Sequence, residues 1–148
     1  GMTGRVKAAA ALFPTVTKPA TTQPASSLRV PGLILADPGD PMSLRSNAVE
    51  LARAWKPATL REVKKVTAGG LVEGRRVARA LKLPGADKGT QKIVRALLTG
   101  YLLHELTGDK AYRDFADPEV ALPKADVLDP FSGDPVELEN KVVALLKP

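Results

Sequence analysis

The sequence contains no cysteine, which excludes disulfides, thiolate metal sites and cysteine nucleophiles. It contains a single histidine, His104, so a zinc site would need carboxylates to complete it, an uncommon donor set for that ion. Aromatic residues make up only 4% of the chain and none interleaves with the basic ones, which removes the stacking platforms of a single-strand nucleic-acid binder. Long hydrophobic runs are missing as well. The most apolar stretch, "ALLTGYLLHEL" at 96–106, falls well short of the roughly 20 residues of a bilayer span, so membrane spanning is not expected.

Two catalytic signatures are also absent. Ser132 in "PFSGDP" has no G-x-S-x-G around it, so it is not a nucleophile elbow. "GADKGT" (85–90) lacks both the spacing and the preceding strand of a phosphate-binding P-loop, although lysine beside a helix start can hold an anion weakly. The Asp/Pro stretch 117–134 gathers Asp117, Glu119, Asp126, Asp129 and Asp134 without the alternation of a calcium loop, and Asp before Pro is ordinary turn chemistry. No cofactor and no metal are expected, and a noncatalytic role is favoured over an enzyme. His104 shares a helical side with Ile93, Leu97 and Tyr101 and reads as a hydrogen-bonded core residue.

At the start of the chain, positive charge precedes a short apolar run that makes a poor signal-peptide core. Gly1 ahead of Met2 reads as a tag remnant, and a cytoplasmic location is expected.

What the sequence does hold is an asymmetric charge. The formal net charge is +6, yet residues 57–100 carry ten Lys/Arg against three acids, whereas residues 101–148 carry five against ten. A basic middle beside an acidic end can bind polyanions, or can pair within the fold or with a neighbouring copy.

Length and composition predict one domain whose core is Leu, Val and Ala, the material of helix packing. Residues 1–40 hold repeated prolines among Thr, Ser and Ala, which predicts an extended peripheral arm. "SLRVPGLILAD" within it reads as an edge strand or tether, because Pro31 argues against a central strand. Residues 41–148 then form an all-α domain, a small bundle of four main helices. Asp40 and Pro41 open the first helix (43–56), with Leu44, Ala48, Leu51 and Trp55 on one face. "TLRE" at 59–62 fits a capping box that opens the second. A helix at 90–107, apolar almost all round from Leu97 and closed by Gly108, is the buried centre. "DKAYRDFA" gives a short helix, and 135–146 the last main one.

Residues 59–83 have two readings. Advancing about 100° per residue, Leu60, Val63, Val66, Thr67, Gly70, Leu71, Gly74, Val77, Ala78 and Leu81 stay on one side, which predicts a single helix across Gly69–Gly70. Gly70, Gly74 and Ala78, four apart, would then form a packing groove for a close crossing, with Gly100 as the natural partner. The alternative is a helix-turn-helix with its turn at Gly69–Gly70. "VARALKL" resembles the tail of many bacterial recognition helices, and Arg75, Arg76, Arg79 and Lys82, with Lys64 nearby, would then contact nucleic acid. The expected function is a noncatalytic bacterial helical interaction or accessory module, self-associating through its basic and acidic surfaces. DNA binding is the alternative.

Overall fold

Residues 59–63, expected to open a long helix, form instead an inner strand of a sheet. In a computed structural model, the structure describes residues 5–15, 23–38, 45–66, 68–71 and 87–131. Their order is β1 (Ala9–Leu12), α1 (Gln23–Ser26), β2 (Gly32–Ala36), α2 (Arg45–Ala54), β3 (Ala58–Val63), a 3-10 turn (Ala68–Leu71), α3 (Lys88–Thr107), a second 3-10 turn (Lys110–Tyr112), α4 (Arg113–Ala116) and β4 (Ala125–Val127). The four strands lie side by side in sequence order. β1, β2 and β3 are parallel, with Ala9 opposite Gly32 and Gly32 opposite Ala58, and β4 runs antiparallel, with Arg61 opposite Val127. The fold is therefore mixed α/β, not an all-α helical bundle.

β2 decides the architecture. Its five residues "GLILA" are all buried, because a strand between parallel neighbours is covered on both faces and reads as a continuous apolar run rather than an alternation. Leu33 and Leu35 join a core with Phe13, Val63, Val94, Leu97 and Tyr101. Ile34 and Ala36 join another with Ala25, Ala48, Val49, Ala52, Trp55 and Leu60. One face of the sheet is thus covered by α3 and the other by α1 and α2. Pro31 does not keep β2 at the edge: it stands just before the strand, where no ladder amide is needed, and its carbonyl accepts from the Ala9 amide at 3.1 Å. The stretch expected as an extended arm supplies two of the sheet's strands. The expected boundary at residues 40 and 41 lies outside the described residues.

Three expected helices survive in some form. α2 falls within 43–56, with Ala48 and Trp55 buried as their spacing required and Leu51 half-buried. Short helical turns occupy 110–116. α3 matches 90–107 closely and ends at Gly108, whose φ of 69° is left-handed. It is not a central buried rod, however. Leu97 and Tyr101 face the core, while Leu106 is 58% exposed, so α3 is an amphipathic cover for one sheet face. The helix expected at 135–146 lies outside the described residues.

Asp87 caps α3. Its carboxylate accepts from the Gly89 amide at 3.2 Å and from the Thr90 amide and hydroxyl at 2.7 Å each, satisfying amides that no helical carbonyl can reach. The Thr90 hydroxyl first, then the Thr90 and Gly89 amides, hold this carboxyl below its ordinary pKa. A carboxyl with a lowered folded pKa contributes stability above its unfolded pKa of about 4 and loses it as pH falls through the folded value. Asp87→Ala is therefore expected to lower the thermal midpoint at pH 7, with the gap to the parent closing as the melts are repeated at progressively more acidic pH. A gap that persists unchanged in acid would show that the cap works without its charge.

Candidate binding groove beside α3

The exposed side of α3 carries Lys88, Lys92 and Arg95, at i, i+4 and i+7, which places all three on one face. No acidic residue stands in the first turn of α3. Of the three, Lys88 stands in the first turn, where a cation faces the positive end of the helix dipole. None of the three has an ion-pair partner among the described residues. Lys64 does: it pairs with Asp126 across β3 and β4, and the hydrogen bond and charge of that carboxylate raise its pKa.

The cations line a groove of about 600 Å³ that continues along α3 past Thr99 to Gly100 and Leu103 and is bounded on the far side by Tyr112 and Phe115. Gly100 allows this. A Cβ at residue 100 would lie 2.4 Å from the Phe115 ring, so the missing side chain lets the aromatic ring rest on the backbone of α3. Tyr112 and Phe115 meet at 6.2 Å between centroids with a 49° tilt, within the usual range for edge-on aromatic pairs. One end of the groove is cationic and the other apolar.

A buried arginine holds the aromatic wall in place. Arg61 on β3 is fully buried, on the same sheet face as α3. Its guanidinium donates to the carbonyls of Val120 at 2.5 Å, Asp117 at 2.7 Å and Asp114 at 2.8 Å, and weakly to Phe115 at 3.4 Å. Beside it, the Thr59 hydroxyl donates to the Ala116 carbonyl at 3.0 Å. Two side chains of β3 thus satisfy the carbonyls that a short helix leaves exposed at its end. Burial lowers the Arg61 pKa, and the charges of Asp117 and Asp114 offset part of that. Arginine stays cationic even so.

Open parallel sheets also bind ligands outside the carboxyl ends of their strands. Here Phe13 follows β1 and is buried with a left-handed φ of 51°, Asp37 follows β2 and is buried, and Lys64 and Lys65 follow β3. No histidine joins them, because His104 sits near the end of α3, half-buried, with Nδ1 3.2 Å from the Asp109 carbonyl. Among the described residues, no group of three or more His, Asp or Glu side chains could hold a metal ion. The carboxylates of the acidic stretch make turns and pairs: Asp117 accepts from the Glu119 amide, Asp129 from the Phe131 amide, and Asp126 pairs with Lys64.

The residues singled out in the sequence are dispersed. Arg75, Arg76, Arg79 and Lys82 lie outside the described residues, as do Gly74 and Ala78. Gly70 packs on Thr90, where an added Cβ would lie 2.9 Å from the hydroxyl, and its carbonyl accepts from the Asp87 amide at 3.0 Å. Gly100 packs on Phe115 instead, so these two glycines serve different contacts. Both readings of 59–83 lose their first helix, since 58–63 is β3 and 68–71 a single 3-10 turn. Of Lys88, Lys92 and Arg95 the sequence points only to Lys88, as the lysine beside a helix start in "GADKGT"; Lys92 and Arg95 join it at the i, i+4, i+7 spacing that Arg75, Arg79 and Lys82 also have.

Among the described residues, no helix is long and apolar enough to cross a membrane. No protein-family model, curated protein or solved structure matches the chain.

Proposed function

We propose that the protein is a noncatalytic interaction module that docks an acidic, partly apolar segment of a partner protein in the groove beside α3. The observation that supports this most directly is the trio Lys88, Lys92 and Arg95, without ion-pair partners among the described residues, set at the mouth of a groove walled by Tyr112 and Phe115. Exposed cations steer an acidic segment and fix its register, while aromatic surface supplies the contact area. A fully hydrated polyanion would use the cations and leave the aromatic wall idle.

The test is fluorescence anisotropy with a labelled synthetic helix bearing Glu on one face and Leu and Phe on the other. Saturable binding is expected at low salt, weaker by about tenfold or more in a Lys92→Glu/Arg95→Glu variant. Thermal melting of that variant should be nearly unchanged, because both side chains are exposed. Binding that ignores the double substitution rejects the reading. Mixed-sequence duplex DNA in the same assay addresses the other possibility: tighter, salt-sensitive binding of the duplex would move the function to nucleic acid.

A further inference from the structure

We propose that the outer edge of β1 pairs, antiparallel, with the same strand of a second copy of this chain. Among the described residues, β1 has a neighbour on one side only. The amides of Ala9 and Phe13 donate to Pro31 and Leu35 of the β2 side at 3.1 and 2.9 Å. By strand alternation the amides and carbonyls of Ala10 and Leu12 point away from the sheet.

Such an edge is usually blunted by charge, proline or a bulge. Within its four residues β1 has none of these: it reads "AAAL" and runs in regular register with β2, with Lys7 two residues ahead of it and Pro14 two residues behind. Both faces beside it are already covered, with Ala8 and Leu12 on one core and Ala9 and Ala11 on the other. An added strand would therefore find its neighbours' side chains in place. The opposite edge is protected: β4 has three residues, carries Asp126 in an ion pair with Lys64, and is entered through Lys124 at φ 64°.

A second copy suits this edge, and the charges set its direction. Arg5 and Lys7 precede β1. A parallel copy would stack them against themselves, whereas a twofold centred at Ala11 sends them to opposite ends of the joint. Ala10 of one copy then faces Leu12 of the other, exchanging main-chain hydrogen bonds without any change of fold. This surface is distinct from the groove beside α3.

Sedimentation velocity over a concentration series is expected to show a dimer that persists as salt rises. Amide exchange should slow at Ala10 and Leu12 as the concentration increases. Ala10→Pro removes an outward amide and no bond to β2, and should weaken the dimer by about tenfold or more while Trp55 emission and the thermal midpoint are retained. If that proline disturbs β1, Ala10→Lys blunts the same edge from an exposed position and carries the same expectation. A monomer at every concentration overturns the proposal. So does a dimer whose Ala10 and Leu12 amides exchange as in the monomer, or one that dissolves in salt and ignores both substitutions. Peptide binding by Ala10→Pro should match the parent, so loss of the dimer and failure of the groove are read separately.

Discussion

Arg61→Met is expected to destabilise the protein by about 3–5 kcal/mol, the usual scale for leaving two or three buried carbonyls without a donor. The aliphatic part of methionine can fill much of the vacated space, so the loss comes chiefly from the carbonyls of Asp114, Asp117 and Val120, which would remain in a dry setting with no donor. Set against a typical domain stability of about 5–15 kcal/mol, that loss is a large fraction of the whole. Arg61→Lys keeps the charge but not the planar fork, and one ammonium cannot reach carbonyls spread over residues 114–120. It should recover only part of the loss. Urea unfolding measures both variants, with a lower midpoint and an unchanged slope expected. An Arg61→Met protein within about 1 kcal/mol of the parent would mean that water reaches those carbonyls.

Gly32→Ala is expected to cost about 3 kcal/mol, at the upper end for overpacking by one methyl group. Gly32 lies on β2 directly beneath Trp55, and an added Cβ would stand 2.2–2.6 Å from three atoms of the indole ring. The ring cannot slide aside freely. It is 3% exposed, and its Nε1–H donates to the Val30 carbonyl at 3.0 Å. Relief requires either a shift of β2, which has strands on both sides, or ejection of the ring with loss of that bond. Trp55 is the only tryptophan, so its emission should shift to the red as the midpoint falls. Adding Trp55→Leu to Gly32→Ala should recover part of the lost stability, because the two changes share one contact and will not be additive. Strict additivity would show that the clash is relieved elsewhere.

These two positions also explain why the fold was only partly legible in the sequence. α3 announces itself through Asp87, a long periodic stretch and Gly108, all local signals. β3 does not. In "ATLREV" the side facing α3 carries Thr59, Arg61 and Val63, so alternation between polar and apolar is lost, and "TLRE" happens to satisfy a helix-capping pattern. Arg61 is polar yet buried because its partners are carbonyls 53 to 59 residues away, and no window along the chain can reveal such a partner. The apolar phase runs across 60–81 in the sequence, but at its start, residues 60–62, pairing with β2 overrides it. β2 is obscure for the opposite reason: a run buried on both faces has no periodicity to detect. The groove beside α3 is not legible in the sequence because its aromatic wall comes from 112–115, and its cations look like an ordinary solvated face until Gly100 brings Phe115 against the helix.

The distance along the chain between Arg61 and its acceptors has a further consequence during synthesis. Residues 9–63 leave the ribosome well before residues 114–120 do. Until then the sheet face awaiting α3 carries a hydrated guanidinium among Leu33, Leu35 and Val63. A charge on an unfinished apolar surface opposes its sticking to other nascent chains. The carbonyls of Asp114, Asp117 and Val120 can accept from that guanidinium only once their segment has been made, so one side chain of β3 ties together parts of the chain made far apart in time.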